Sequence, residues 1–210
     1  MNTRELFEFD KRFGVVAGVD EAGRGPLAGP VVCACCVMPL DGEYVDGIND
    51  SKKISERKRE DLYDIIVKKA IFYHAAIINP EVIDEKNILV ATAAGMRECV
   101  EALSVKVDAL LIDYVPDKVR SFVSRGYLDK VQTIKKGDAT SYCIAAASII
   151  AKVTRDRLMR EYAEQYPQYG FIKNKGYGTA DHIAALKEYG ASPIHRKTFI
   201  THFIGKNADE

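Results

Sequence analysis

At 210 residues, 47% of them hydrophobic and 29% charged, the chain can bury a substantial core and reads as one domain over residues 1–210, which excludes a disordered or fibrous protein. Thirty basic residues balance thirty acidic ones, so no global positive field advertises a nucleic-acid partner and any such contact must use local patches. Five cysteines, an odd number, argue against a disulfide framework; with no signal-peptide-like core and no apolar run long enough to span a bilayer, the expected setting is the cytoplasm, without a membrane partner.

The amino-terminal stretch carries an acid early, at Glu5, and no element is assigned before Val15. Val15 to Asp20 is short, β-branched and bounded by glycine, the pattern of a buried strand that delivers Asp20 at its carboxyl end with Glu21 just beyond. Gly23, Gly25 and Gly29 in the following turn let a ligand approach the backbone. Two adjacent carboxylates there suit a hard divalent cation, because buried carboxylates are costly unless paired, hydrogen-bonded or bound to a cation. They equally fit a tight connection whose acids are solvated or bonded to turn amides. A dinucleotide-binding loop has similar glycine spacing but must open a helix, whereas Pro26 and Pro30 lead here into a second apolar run, Val31 to Met38. The two runs form an antiparallel pair. Cys33 and Cys36 make a formal C-x-x-C inside the second, where strand alternation sends them to opposite faces as small buried residues.

Ser55 N-caps a helix with Leu62, Ile65 and Ile66 on one face and Lys68-Lys69 at its end. Ile71 to Ile78 is a third strand. A helix then runs from about Pro80 to Leu103, with Ile88, Thr92, Met96, Cys99 or Val100, and Leu103 at helical spacing. Strand now alternates with helix: Ala109 to Asp113 is an apolar run ending in an acid, and Val131 to Ile134 leads through Lys135-Lys136-Gly137 to Asp138. A long helix over about Thr140 to Gln165 turns Ala146, Ile149, Ile150 and Val153 inward and is stopped by Pro167. On it, Asp156 lies one turn from Lys152 and makes a surface ion pair. A loop from Gly170 to Gly178, a helix from about Ala180 to Gly190 and a short helical tail complete the chain.

Crossovers through helices make the strands leading to Asp20, Asp113 and Asp138 parallel neighbours with their carboxyl ends together, the edge at which open α/β sheets place ligands. Asp20, Glu21, Asp113 and Asp138 then meet at one place. Mutual repulsion there calls for cations, and two ions about 4 Å apart suit in-line attack on a phosphodiester. Each strand-end acid alone fits a cap of the next turn; the argument rests on repetition over three strands.

These residues closely resemble the ribonuclease HII (type 2 ribonuclease H) family over most of the chain. Asp20-Glu21-Ala22-Gly23-Arg24-Gly25-Pro26 is similar to the family's opening signature, followed by Asp50-Ser51-Lys52-Lys53 and Leu111-Ile112-Asp113. Next come Lys136-Gly137-Asp138-Ala139 with the block from Ala145 to Asp156, then Lys175-Gly176-Tyr177-Gly178-Thr179 and His195-Arg196-Lys197-Thr198-Phe199. The ordered set is highly specific. It implies an α/β RNase H-like fold, a five-stranded mixed sheet flanked by helices, with a helical carboxy-terminal part over about residues 180–210. It further implies a monomeric ribonuclease H that uses Mg²⁺ or Mn²⁺ in a two-metal-ion mechanism. The implied substrates are the RNA strand of RNA–DNA hybrids and single ribonucleotides embedded in duplex DNA. The latter would be cut on their 5′ side to leave 3′-hydroxyl and 5′-phosphate ends, in ribonucleotide removal during replication and repair.

By the same resemblance, Asp20, Glu21, Asp113 and Asp138 match the catalytic, metal-binding acids, Gly23-Arg24-Gly25 reads the ribose 2′-hydroxyl, and Tyr177 stacks on the following deoxyribose. Lys52, Lys53, Lys152, Arg196 and Lys197 would contact phosphates, giving position and affinity without sequence selectivity. Tyr114 departs from the pattern, since many relatives have a small residue after the third acid. Two competing readings are a non-catalytic hybrid-binding module, which would tolerate loss of an acid, and a nucleotide-dependent enzyme, which lacks the helix its glycine turn requires.

Overall fold

The chain's architecture comes from a computed structural model that describes residues 1–113, 123 and 130–204, so Tyr114 lies outside the described residues. The first element, α1 (Thr3–Lys11), has no counterpart among the expected ones. Its signal is a reciprocal capping box, in which Glu5 N donates to Asn2 Oδ1 at 3.0 Å and Asn2 N donates to Glu5 Oε2 at 2.8 Å. There follow β1 (Val16–Ala22), β2 (Val31–Val37), α2 (Glu56–Lys69), β3 (Phe72–Ile78), α3 (Pro80–Lys86), α4 (Ile88–Glu101), β4 (Ala109–Asp113) and β5 (Val131–Ile134). The long helix α5 (Tyr142–Gln165), the single turn α6 (Phe171–Asn174), α7 (Ala180–Tyr189) and α8 (Lys197–Ile204) follow, with short 3-10 turns at Ser51–Lys53, Gly137–Ala139 and Pro167–Tyr169.

Three expectations need correction. The helix anticipated over Pro80 to Leu103 is two helices, broken where Asn87 takes φ 68° and turns its side chain to accept from Leu89 N and Val90 N. Ile65 of α2 is 40% exposed, while Leu62 and Ile66 are the buried apolar residues of its inward face. The stretch from Gly170 to Gly178 is not all loop, because α6 opens inside it.

The sheet is mixed, with order β3-β2-β1-β4-β5; β1 and β4 are parallel, as are β4 and β5, and the two remaining pairs are antiparallel. Val19 pairs with Ile112, and continuing that register by one residue sets Asp113 beside Asp20. Strand alternation divides the core. Val16, Val32, Ala34, Cys36 and Leu111 pack with residues of α1, α2 and α5, whereas Ala17, Val19, Cys33, Cys35, Leu110 and Ile112 pack with α4. Cys33 and Cys36 therefore lie on opposite faces, and all five cysteines are buried and free.

Two features fix α5 against the sheet. A Cβ on Gly18 would lie 2.1 Å from the Cys143 carbonyl carbon, so only glycine lets the helix rest directly on β1. At the helix start, Ser141 caps Ile144 N, and the fully buried Asp10 accepts from Cys143 N at 2.7 Å and Ser141 Oγ at 3.0 Å. Burial raises the Asp10 carboxyl to about 6. At the far end of α5, Met159 and Ala163 pack with Ala28, Tyr169, Phe171, Ala185 and Ile194, joining the carboxy-terminal helices to the glycine-proline turn after β1.

Candidate active site

Asp20, on β1, is 4% exposed, and its Oδ1 accepts from Glu21 N at 2.7 Å. Burial drives its carboxyl well above the usual range, reinforced by the charges of Glu21, Asp113 and Asp138. Glu21 is pushed up chiefly by burial and by Asp113, against the pull of Arg24, whose Nη1 lies 3.6 Å from Glu21 Oε1. Asp113 ends β4, and its Oδ1 accepts from Gly137 N at 2.8 Å, which ties the turn after β5 to this strand end. Asp138 sits in that turn, 7% exposed; burial, then Asp50 and Asp113, raise it to about 6 against Lys52. Four carboxylates from three strand ends thus share one rim, where burial and neighbouring acids disfavour the charges of Asp20, Glu21 and Asp138.

Asp50, which lies in an expected motif but not among the expected site residues, shares a side-chain hydrogen bond with Asp138. Burial raises Asp50, but the Lys52 amide and the bonds to Asp138 and Lys53 outweigh it, so its net shift is downward. Asp138 is thus pushed up while Asp50 is held down. The short turn bearing Asp50 is anchored from beneath. Arg59 donates to the carbonyls of Ser51 and Ile54, and Ser148 Oγ of α5 donates to Ser51 Oγ at 2.7 Å.

The donor set Asp20, Glu21, Asp113 and Asp138 is all oxygen and strongly anionic, the chemistry that holds a hard divalent cation. Among the described residues no three of these groups already close on one point as a formed cation cage would. Each is engaged locally: Asp20 by the Glu21 amide, Asp113 by the Gly137 amide, and Asp138 by Asp50.

Beside the acids, two buried arginines hold the glycine turn by its carbonyls. Arg196 is fully buried and donates from Nε to Gly29 O at 2.9 Å, from Nη1 to Arg24 O at 2.9 Å and from Nη2 to Gly23 O at 2.6 Å. Arg155, also fully buried, donates to Pro30 O at 2.9 Å, Lys175 O at 2.9 Å and Ala28 O at 3.1 Å. Because the peptide is planar and trans, a carbonyl turned inward turns the next amide outward. Clamping Gly23 O and Arg24 O therefore aims the N–H groups of Arg24 and Gly25 away from Arg196. Gly23 itself takes φ 97°, and a Cβ there would meet Arg155 Nε at 2.1 Å.

Glu21, Gly23, Arg24, Gly25, Lys52, Lys152 and Tyr177 line one cleft of about 400 Å³, together with Ala22, Ser51 and Ser148. Tyr177 is 45% exposed and faces the turn: a Cβ on Gly25 would lie 3.9 Å from its Cε1. The basic residues divide. Lys52 Nζ lies 4.0 Å from Asp138 Oδ2, and four acids together outweigh desolvation and raise its pKa. Lys53 is exposed, with Nζ 3.4 Å from Asp50 Oδ2, and Lys197 is exposed at the start of α8. Lys152 reaches the cleft, but its Nζ bonds Asp156 Oδ1 at 2.7 Å, and burial lowers its pKa.

Two expectations change here. Arg196 cannot meet a phosphate, since its guanidinium is enclosed and engaged by three carbonyls. Asp156 does pair with Lys152, but in the interior: it is 3% exposed and lies 3.8 Å from Arg59 Nη2.

Comparison with known proteins matches residues 17–202 to the family model described as Ribonuclease HII. A ribonuclease HII from Ruminiclostridium cellulolyticum is 50% identical over 196 residues, 91% of this chain and 72% of that protein. Among solved structures, the ribonuclease H2 from Pyrococcus horikoshii OT3 superposes with a TM-score of 0.77 at 29% identity, covering 93% of this chain and 99% of the other. A PCNA:RNase HII complex from Archaeoglobus fulgidus gives 0.72 at 28% identity, covering 87% and 93%. These likenesses extend across the sheet and its helices, in agreement with the expected five-stranded mixed α/β architecture.

Proposed function

The chain belongs to the ribonuclease HII family and is a ribonuclease H acting on the RNA strand of RNA–DNA hybrids, and on that premise we propose that it also cuts duplex DNA on the 5′ side of a single embedded ribonucleotide. The products are 3′-hydroxyl and 5′-phosphate ends, and the task is ribonucleotide removal during replication and repair. The observation that carries this reading is the juxtaposition of four mutually repelling acids with a turn whose carbonyls are clamped inward and whose amides are free to face a ligand. Asp20, Glu21, Asp113 and Asp138 would hold the divalent metal on which the family depends, with Mg²⁺ or Mn²⁺ as candidates. Two such ions supply Lewis-acid stabilisation of the phosphodiester and a lowered water pKa.

The chain's own residues supply recognition. The amides of Arg24 and Gly25 read the ribose 2′-hydroxyl, the group that separates RNA from DNA. Any side chain larger than hydrogen at Gly23 would displace Arg155 and spoil that surface. Tyr177 stacks on the next sugar across the cleft and fixes the junction. Lys52 and Lys53, with Lys152 and Lys197, meet phosphates, so affinity follows ionic strength rather than sequence. Among the described residues no helix is long and apolar enough to cross a membrane; we place the enzyme in the cytoplasm, acting as a monomeric single domain.

The test is incubation with a DNA duplex bearing one ribonucleotide, with Mg²⁺ or with chelator, and mapping of the cut end. A single cut 5′ of the ribonucleotide that chelator abolishes is expected. Cutting of the all-DNA control, or cutting indifferent to chelator, overturns the reading.

A further inference from the structure

His182 of α7 and His195 are both buried, and their Nε2 atoms lie 3.0 Å apart. The partners of their other nitrogens settle which atom carries each proton. Ser192 N donates to His195 Nδ1 at 2.9 Å, so that nitrogen is an acceptor and the His195 proton sits on Nε2. His195 Nε2 then donates to His182 Nε2. His182 is left with its proton on Nδ1, which lies 2.9 Å from the Tyr177 carbonyl, a group that can only accept. One direction of donation therefore runs from Ser192 through both rings to Tyr177 O. A second proton on either ring would set donor against donor. The surroundings agree: Tyr169 stands edge-on to His195 at 4.8 Å, Phe171 edge-on to His182 at 5.3 Å, and burial pushes both imidazoles down, His195 to about 4.

This pair joins the two walls of the cleft. On one side, His195 bridges to Ala28, Gly29 N donates to Ile194 O at 2.8 Å, and the next residue, Arg196, clamps the glycine turn. On the other side lies the backbone of Tyr177, the residue facing Gly25. We infer that His182 and His195 are positioning residues: a neutral, proton-ordered imidazole pair that sets Tyr177 against the ribose-reading turn and so tunes discrimination at the RNA-to-DNA junction. The inference rests on the proposed task of Tyr177 for its catalytic consequence, but not for its proton arrangement.

Two measurements on the full chain test it. The sequence contains four histidines, so long-range ¹H–¹⁵N spectra of the imidazoles are assignable. Neutral Nδ1–H for His182 and neutral Nε2–H for His195 at pH 7 are expected; the same tautomer in both, or a doubly protonated ring, overturns the inference whatever the activity. The second measurement is kinetic. His182→Leu keeps the volume but deletes both the Nδ1 donor to Tyr177 O and the Nε2 acceptor for His195, and should lower kcat at a single ribonucleotide about tenfold or more, with duplex Kd unchanged. His182→Asn keeps a donor where Nδ1 stood and should recover most of that loss. Equal losses on the junction and on a continuous hybrid, or no rescue by asparagine, reduce the pair to ordinary core and refute the positioning role. Absence of junction cleavage by the unmodified protein, with the tautomers as expected, refutes the proposed substrate instead and leaves the proton-ordered pair standing.

Discussion

Replacing Asp138 by Asn should make the protein more stable and nearly inactive at once. The folded carboxyl is raised from 3.8 to about 6 by burial and by Asp50 and Asp113. At about 1.4 kcal/mol per pKa unit that shift corresponds to at most ~3 kcal/mol of lost stability above pH 6. Screening by water in the open cleft, where the Lys52 side chain is 81% exposed, reduces it to ~1–2 kcal/mol. Asparagine removes the charge and retains an N–H to give to Asp50. In chelator at pH 7.5 the variant should therefore melt roughly 3–6 °C higher than the parent. The sign fixes the pH behaviour. Below pH 4 the carboxyl is protonated in both folded and unfolded chains and costs nothing. The penalty builds as pH rises from 4 to 6 and is constant above, so the melting curves of variant and parent should converge on acidification. Cleavage of the ribonucleotide-bearing duplex should fall by ~10³-fold, since a cation ligand worth several kcal/mol is gone, while duplex binding persists. Calorimetry in chelator across pH 4–8, paired with a cleavage assay, checks both halves. A variant less stable than the parent at neutral pH refutes the repulsion argument, and undiminished cleavage refutes the ligand assignment.

Other substitutions probe the support of the site. Arg196→Lys keeps one of three carbonyl bonds and should cost ~3 kcal/mol in denaturant unfolding while eroding selectivity against all-DNA duplex; unchanged selectivity would free the turn from the clamp. Gly18→Ala drives a methyl into the Cys143 backbone, which has no flexible end to yield, and should destabilise by ~3 kcal/mol or more; a loss below half a kilocalorie would contradict the packing of α5 on β1. Tyr177→Ala should reduce junction cleavage roughly tenfold or more with little change in duplex Kd, and parallel losses would remove its stacking role. Lowering pH through about 6 should slow cleavage, because Asp138 gains a proton that competes with the cation. Added divalent metal should shift this acid limb to lower pH, and a limb indifferent to metal concentration would count against the competition.

The parallel rim was legible because three apolar runs each lead to an acid, so burial and chemistry are written in the same few residues. Asp20 and Asp113 needed only strand alternation and a crossover to be placed together. Arg196 and Asp156 were misplaced for a shared reason: charge read locally looks like surface, and nothing near residue 196 announces acceptors at Gly23, Arg24 and Gly29. The two histidines are thirteen residues apart, on a helix and a loop, with no spacing that predicts their meeting. Asn87 split a helix because apolar spacing continues on both sides of it, leaving its own conformation as the only sign of the break. The first helix was overlooked for the opposite reason, since its capping box is explicit but its apolar stripe spans barely two turns.

The bonds from Arg196 to Gly23 and Arg24 join groups 173 and 172 positions apart in the chain. Contacts of such separation form late, after intervening segments have been drawn together. All four acids precede residue 196 in the order of synthesis, so the clamp on the glycine turn can close only after every acid has emerged. A product ending before that residue would carry all four acids beside a turn left without its Arg196 clamp.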